Sequence, residues 1–248
     1  MASLNSLIDA HRLTLDTLVL SNIKLNGQEK VFDGCAALEL PALERLDLAC
    51  VNSSEINWPV ACSVLALAGP LKQFFLDIGL LPLDKAFLAA LSRNCSASLK
   101  KFRFATWQQS HEVWSSIASF IRGLCSLQKL LIHEESGRKQ RMFPIFDVPE
   151  MINAVVSCAK TLNELEWKAW GRLGSRELRY LTSRLVNVIH LTIDVDYTII
   201  SWVGLITLHS WLCSCTNSSS EGIHHLTVPQ ERRNHYCRPL FASNLQLR

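Results

Sequence analysis

The chain has 248 residues, 48% of them apolar and 19% charged, a composition that excludes a disordered or fibrous protein and leaves room for one large domain or two small ones. Its formal net charge of +3 is too slight to mark a nucleic-acid binder by bulk charge, so any electrostatic argument has to be local. The N-terminal stretch MASLNSLIDAHRLTL lacks a basic region followed by an unbroken apolar core and does not read as a secretory signal. Nine cysteines, an odd number, are then expected to stay reduced in an intracellular protein, cytoplasmic or nuclear. The N-x-Ser/Thr triplets at Asn52, Asn94 and Asn217 are expected to be silent without secretion.

From Leu15 onward one six-residue pattern recurs, apolar at its first, fourth and sixth positions. It occupies Leu15, Leu18 and Leu20; Leu43, Leu46 and Leu48; Leu71, Phe74 and Leu76; Leu99, Phe102 and Phe104; and Leu127, Leu130 and Ile132, each copy starting 28 residues after the last. Looser copies follow at Leu162, Leu165 and Trp167; Val188, Leu191 and Ile193; and Ile223, Leu226 and Val228, at intervals of 35, 26 and 35 residues. At the second, third and fifth positions only Val19, Phe75, Leu131 and Ile189 are apolar, the alternation of a short strand with one buried face. Such a strand cannot bury its face alone, so successive copies are expected to stack as neighbours in a parallel sheet. Between copies, Leu88 and Leu91, then Ile117, Phe120, Ile121 and Leu124, then Ile152, Val155 and Val156 fall at helical spacing, so each unit reads as strand, turn, helix.

L-x-x-L-x-L at a 28-residue period resembles the leucine-rich repeat, closest to the ribonuclease-inhibitor-like class. The resemblance implies an α/β leucine-rich-repeat solenoid, or horseshoe, with a concave parallel sheet of about eight short strands and helices on the convex side. The repeat domain is expected over residues 1–228, with irregular insertions at 134–149 and 197–222 and a C-terminal tail or degenerate cap over 229–248. The Asn or Cys that this family usually places after the strand is mostly missing. Asn22 and Cys50 lie near that place, whereas later copies carry Gly79, Trp107 or Trp170, so the turns are expected to be less regular than the consensus. The chain also begins about half a repeat before the first strand with no evident polar cap, which implies a fragment, a missing partner domain or self-association.

The first insertion, Glu134 to Pro149, contains Gly137, Pro144 and Pro149 and reads as a loop with a basic cluster at Arg138, Lys139 and Arg141. It is either a solvated connector or, through Met142, Phe143, Ile145 and Phe146, an apolar contact for a partner. The second, Tyr197 to Cys215, has no Lys, Arg, Asp or Glu and approaches the length of a membrane span. Ser201, Thr207, His209 and Ser210 interrupt it, so it reads as a buried return helix with no membrane role.

Catalytic motifs fail one by one. His111-Glu112 begins a zinc-protease helix, but Ser115 stands where the second His is required. Gly171 to Ser175 has no Lys placed to reach a phosphate, and no G-x-S-x-G elbow is present. His209, Cys213, Cys215, His224, His225, His235 and Cys237 crowd the C-terminal end, yet paired C-x-x-C knuckles are absent, so neither a metal nor any other cofactor is expected. Cys95, Cys125 and Cys158, each just before a repeat, read as buried packing residues.

What remains is the polar side of the strands. Glu44, Arg45 and Asp47 make the second copy acidic, Lys72, Lys100, Lys101, Arg103 and Lys129 make the next three basic, and Glu164 and Glu166 return the sixth to acidic, with His190, His224 and His225 at the end. Any sheet face open to water is polar, but like charges on adjacent strands repel unless something answers them. The expected partner surface is therefore Lys72, Phe75, Lys100, Lys101, Arg103, Lys129, Leu131, Glu164 and Glu166, holding an acidic segment of a protein partner. Nucleic acid is not expected, since no regular set of stacking aromatics accompanies the cations.

As a scaffold the chain resembles the repeat half of F-box proteins, which implies a substrate-recruiting adaptor for ubiquitin ligation. No L-P pair followed by apolar helices precedes Leu15, so docking to the ligase core is not carried over. The competing reading is a repeat domain that regulates an enzyme in trans, either resembling immune-receptor repeats or, with Arg138 or Arg172 presented to a GTPase, resembling leucine-rich GTPase activators.

Overall fold

The computed structural model describes residues 4–21, 30–33, 38–49, 56–78, 85–106, 111–134, 148–168, 173 and 175–193. Among them seven strands form a single parallel sheet in sequence order: β1 (Thr17–Ser21), β2 (Arg45–Ala49), β3 (Gln73–Ile78), β4 (Lys101–Thr106), β5 (Lys129–Glu134), β6 (Glu164–Lys168) and β7 (His190–Ile193). Six helices accompany them: α1 (Leu4–Ala10) before β1, then α2 (Trp58–Leu67), α3 (Lys85–Cys95), α4 (His111–Arg122), α5 (Val148–Ser157) and α6 (Ser175–Arg184), each between two successive strands. Neighbours in sequence are neighbours in space throughout, an arrangement consistent with a solenoid. The eighth copy at 223–228, the second insertion and the C-terminal tail lie outside the described residues.

The sheet register follows the six-residue pattern without a slip. Leu18, Leu46, Phe74, Phe102, Leu130, Leu165 and Leu191 face one another in one row, and Leu20, Leu48, Leu76, Phe104, Ile132, Trp167 and Ile193 in another. Both rows are buried. The backbone reinforces this just before each strand. The carbonyl of Asp16 accepts from the amides of Glu44 and Arg45, that of Glu44 from Lys72 and Gln73, that of Lys72 from Lys100 and Lys101, and the double acceptance continues through Lys100, Gln128 and Asn163 to His190. A slip by one residue would turn both apolar rows to water.

Aromatic side chains fill the space between sheet and helices. Phe74 and Phe102 stack with centroids 6.0 Å apart and planes 7° from parallel, while Phe120 of α4 meets Phe102 edge-on at 5.1 Å and Trp114 meets Phe104 at 5.3 Å. Such pairs add to area burial because ring edges and faces carry opposite partial charge. On α4, Val113, Trp114, Ile117, Phe120 and Ile121 are buried, Glu112 stands in the first turn and Arg122 in the last, each charge matching the helix dipole.

Side chains late in one repeat also bond carbonyls at the end of the preceding helices or in the segments between those helices and the next strands. Asn94 donates to the carbonyls of Leu65 and Ala68, Ser98 to Leu71 at 2.8 Å, Ser126 to Ala97 at 2.7 Å, Cys158 to Ile121 at 3.3 Å and Asn187 to Lys160 at 3.0 Å. Carbonyls without an intrahelical partner need such donors. Gly69 donates to Leu40 O at 2.9 Å, and a Cβ there would lie 2.2 Å from Pro41 O, so only glycine permits this approach.

Two expectations need correcting. The first insertion was expected to run as a loop to Pro149, but Val148 and Pro149 form the first turn of α5, where a proline lacking N–H breaks no helical hydrogen bond. Cys95 and Cys158 are buried as expected, and burial pushes the Cys95 thiol up to about 12. Cys125 is exposed instead, in the short segment after α4.

Candidate open-face binding site

Because side chains alternate along a strand, the residues between the buried rows stand on the face of the sheet opposite the helices. One row reads Thr17, Arg45, Gln73, Lys101, Lys129, Glu164 and His190; the next reads Val19, Asp47, Phe75, Arg103, Leu131, Glu166 and Thr192. None of these side chains is buried. Lys72 and Lys100, just before β3 and β4, are exposed alongside them. All nine residues of the expected partner surface therefore lie on or beside one face.

The five cations do not form the unanswered block that charge counting suggests. Lys72 forms an ion pair with Glu44 on the preceding repeat, and Lys129 lies 2.5 Å from the Glu164 carboxylate on the following strand. Among the described residues, Lys100, Lys101 and Arg103 make no ion pair. The unanswered charge is therefore confined to β4 and the residue before it. Arg103 stands directly between Phe75 and Leu131 in its row, and its Nε is buried without a hydrogen-bond partner. Phe75 is covered in part by the Arg45 guanidinium, 5.1 Å from the ring centroid, while Arg45 also reaches Asp47 at 3.4 Å.

One further cluster escaped the six-residue pattern because it occupies the seventh position. His133 Nε2 lies 3.1 Å from a Glu166 carboxylate oxygen, and Lys168, in register with His133, pairs with the same Glu166. Burial is the largest influence on His133 and pulls its pKa below the ordinary 6.5; Glu166 opposes this, while Arg103 and Lys168 add to it. Burial pushes the Glu166 carboxyl up, but Lys168 and His133 outweigh it and hold the group below its ordinary range. Extending the repeat by one residue would have brought His133 and Lys168 into view.

The remaining candidates resolve simply. Glu112 pairs with Lys85 at 2.9 Å and Ser115 bonds Glu150, so the failed zinc motif serves contacts between neighbouring helices. The C-terminal His and Cys cluster, the basic insertion loop, Arg138, Arg172 and the expected strand-following turn positions lie outside the described residues. Among the described residues no group of three or more metal-ligating side chains comes together, and no helix is long and apolar enough to cross a membrane. The open face offers a broad surface with one unanswered cationic centre and two apolar neighbours. No family model and no curated protein matches the chain.

Proposed function

We propose that the chain is a non-catalytic scaffold of the leucine-rich-repeat kind that holds an acidic segment of a protein partner on the concave face of its sheet. The observation that carries this reading is the triad Lys100, Lys101 and Arg103 at the middle of the described sheet, which has no ion-pair partner among the described residues while the lysines on either side are answered by Glu44 and Glu164. Uncompensated like charges side by side cost stability, and surface charges add little to it when paired. An anionic partner would answer them, with Phe75 and Leu131 supplying apolar contact. Recruitment of a substrate to ubiquitin ligation is one use of such a scaffold.

The test compares partners captured by the wild-type chain with those captured by Lys100→Glu, Lys101→Glu, Arg103→Glu, and by a control carrying Arg93→Glu and Lys160→Glu, exposed positions outside the strands. A protein retained by wild type and control and lost from the triple variant, with all three chains folded by circular dichroism, supports the reading. Equal capture by all three sinks it. Ligase core subunits recovered with wild type and triple variant alike would support the adaptor role.

A further inference from the structure

Resting on that reading, we infer that the occupant of the β4 site is an extended peptide segment with a compact cluster of two or three carboxylates beside an apolar side chain, and that the ion-paired borders on either side offer a longer polyanion no further free cation. The cations stand on one strand, while Glu44 and Asp47 lie on or beside β2 and Glu164 and Glu166 on β6. Adjacent strands are about 4.8 Å apart, so the two acidic borders are separated by about 19 Å, with the triad midway. Three extended residues span about 10 Å and fit between them.

Along the strand the site also ends. The next position on that side of β4 after Arg103 is Ala105, which is buried and stands in register with Asp77 on β3 and His133 on β5. A long polyacidic run or a nucleic-acid strand leaving the triad across the sheet would meet cations already taken, Arg45 by Asp47, Lys72 by Glu44, Lys129 by Glu164 and Lys168 by Glu166, and would gain nothing from its added charge. The apolar requirement follows from Arg103 standing between half-buried Phe75 and Leu131.

The two ion pairs set the width of the site. Glu44 holds Lys72 and Glu164 holds Lys129, so neutralising both acids frees two lysines and widens the cationic centre from one strand to three. Selectivity should then move toward longer acidic runs.

A displayed library of random peptides of about twelve residues, about 40 Å when extended, is panned on the full chain and counter-selected on Lys100→Glu, Lys101→Glu, Arg103→Glu. The gentler Lys100→Gln, Lys101→Gln, Arg103→Gln chain serves if the first fails to fold. The expected result is a set of peptides specific to wild type, with two or three Asp or Glu close together and an apolar neighbour. Glu44→Gln with Glu164→Gln should strengthen binding of a polyglutamate probe about tenfold and that of the short acidic peptides by much less. Selected peptides dominated by long acidic runs, or a polyglutamate affinity that Glu44→Gln with Glu164→Gln leaves unchanged, overturn the size limit while leaving the cationic docking face in place. Tighter β4-dependent binding of a single-stranded oligonucleotide than of any selected peptide overturns the peptide assignment. Peptides that never distinguish wild type from the β4 variants overturn this inference and the scaffold reading together.

Discussion

On β4, Phe102 and Phe104 are buried against the helices, while Lys101 and Arg103 stand on the open face beside them. The buried pair is surrounded by partners, with Phe102 stacked on Phe74 and met by Phe120, and Phe104 met by Trp114. The open pair has no ion-pair partner among the described residues. One strand thus separates two kinds of constraint. Its inner face is set by packing, and its outer face carries charge that no described residue answers with an ion pair.

The sharpest way to break that contrast is to hollow the inner face. Phe102→Ala removes a fully buried ring from between two aromatic neighbours in adjacent repeats, and large-to-small changes of this kind cost about 3–5 kcal/mol because the cavity collapses only in part. Denaturant unfolding of the variant should show an unfolding free energy lowered by that amount, with the midpoint falling in proportion. A loss below about 1 kcal/mol would mean that the stack between β3 and β4 is not a shared core.

The inner face was legible because burial leaves a one-dimensional trace. The 28-residue interval fixed which residues meet across β1 to β5 and the six-residue pattern alone did so for β6 and β7, and the apolar rows from Leu18 to Leu191 keep that register. The outer face was legible as a set of residues but not as a charge distribution. Whether Lys72 meets Glu44, or Lys129 meets Glu164, depends on the reach of flexible side chains between strands, and the spacing of the second pair is hidden by an insertion. Cys125 was misread for a related reason. Like Cys95 and Cys158 it precedes a repeat, but it lies only two residues before Leu127, and Leu124 takes the buried place beside it.

A middle case is His133, half-buried at the outer end of β5. Its pKa is depressed, first by burial and further by Arg103 and Lys168, against the pull of Glu166. The folded chain therefore holds the neutral imidazole, while the unfolded chain takes up a proton once the pH falls below the ordinary 6.5. Stability should decline on acidification from about 6.5 down to the folded value, by no more than about 1.4 kcal/mol per pH unit for one proton. His133→Gln should remove that share, so the variant loses less stability than wild type between neutral and mildly acidic pH. Parallel stability profiles for the two chains would place the titration elsewhere.

The smallest effect tests the outer face most directly. Lys101 is exposed, stands in register with Lys129 and has no ion-pair partner among the described residues. Lys101→Gln keeps an unbranched polar side chain, one atom shorter, while removing one like-charge neighbour, so stability should hold or rise by about 0.2–0.5 kcal/mol at low salt. That gain should vanish near 1 M salt, where the screening length falls to about 3 Å. A charge that is neutral or costly for the fold, and whose loss nevertheless weakens binding of an acidic peptide, is held there by the partner. A fall in stability of more than about 1 kcal/mol would instead give Lys101 a structural role and remove it from the site.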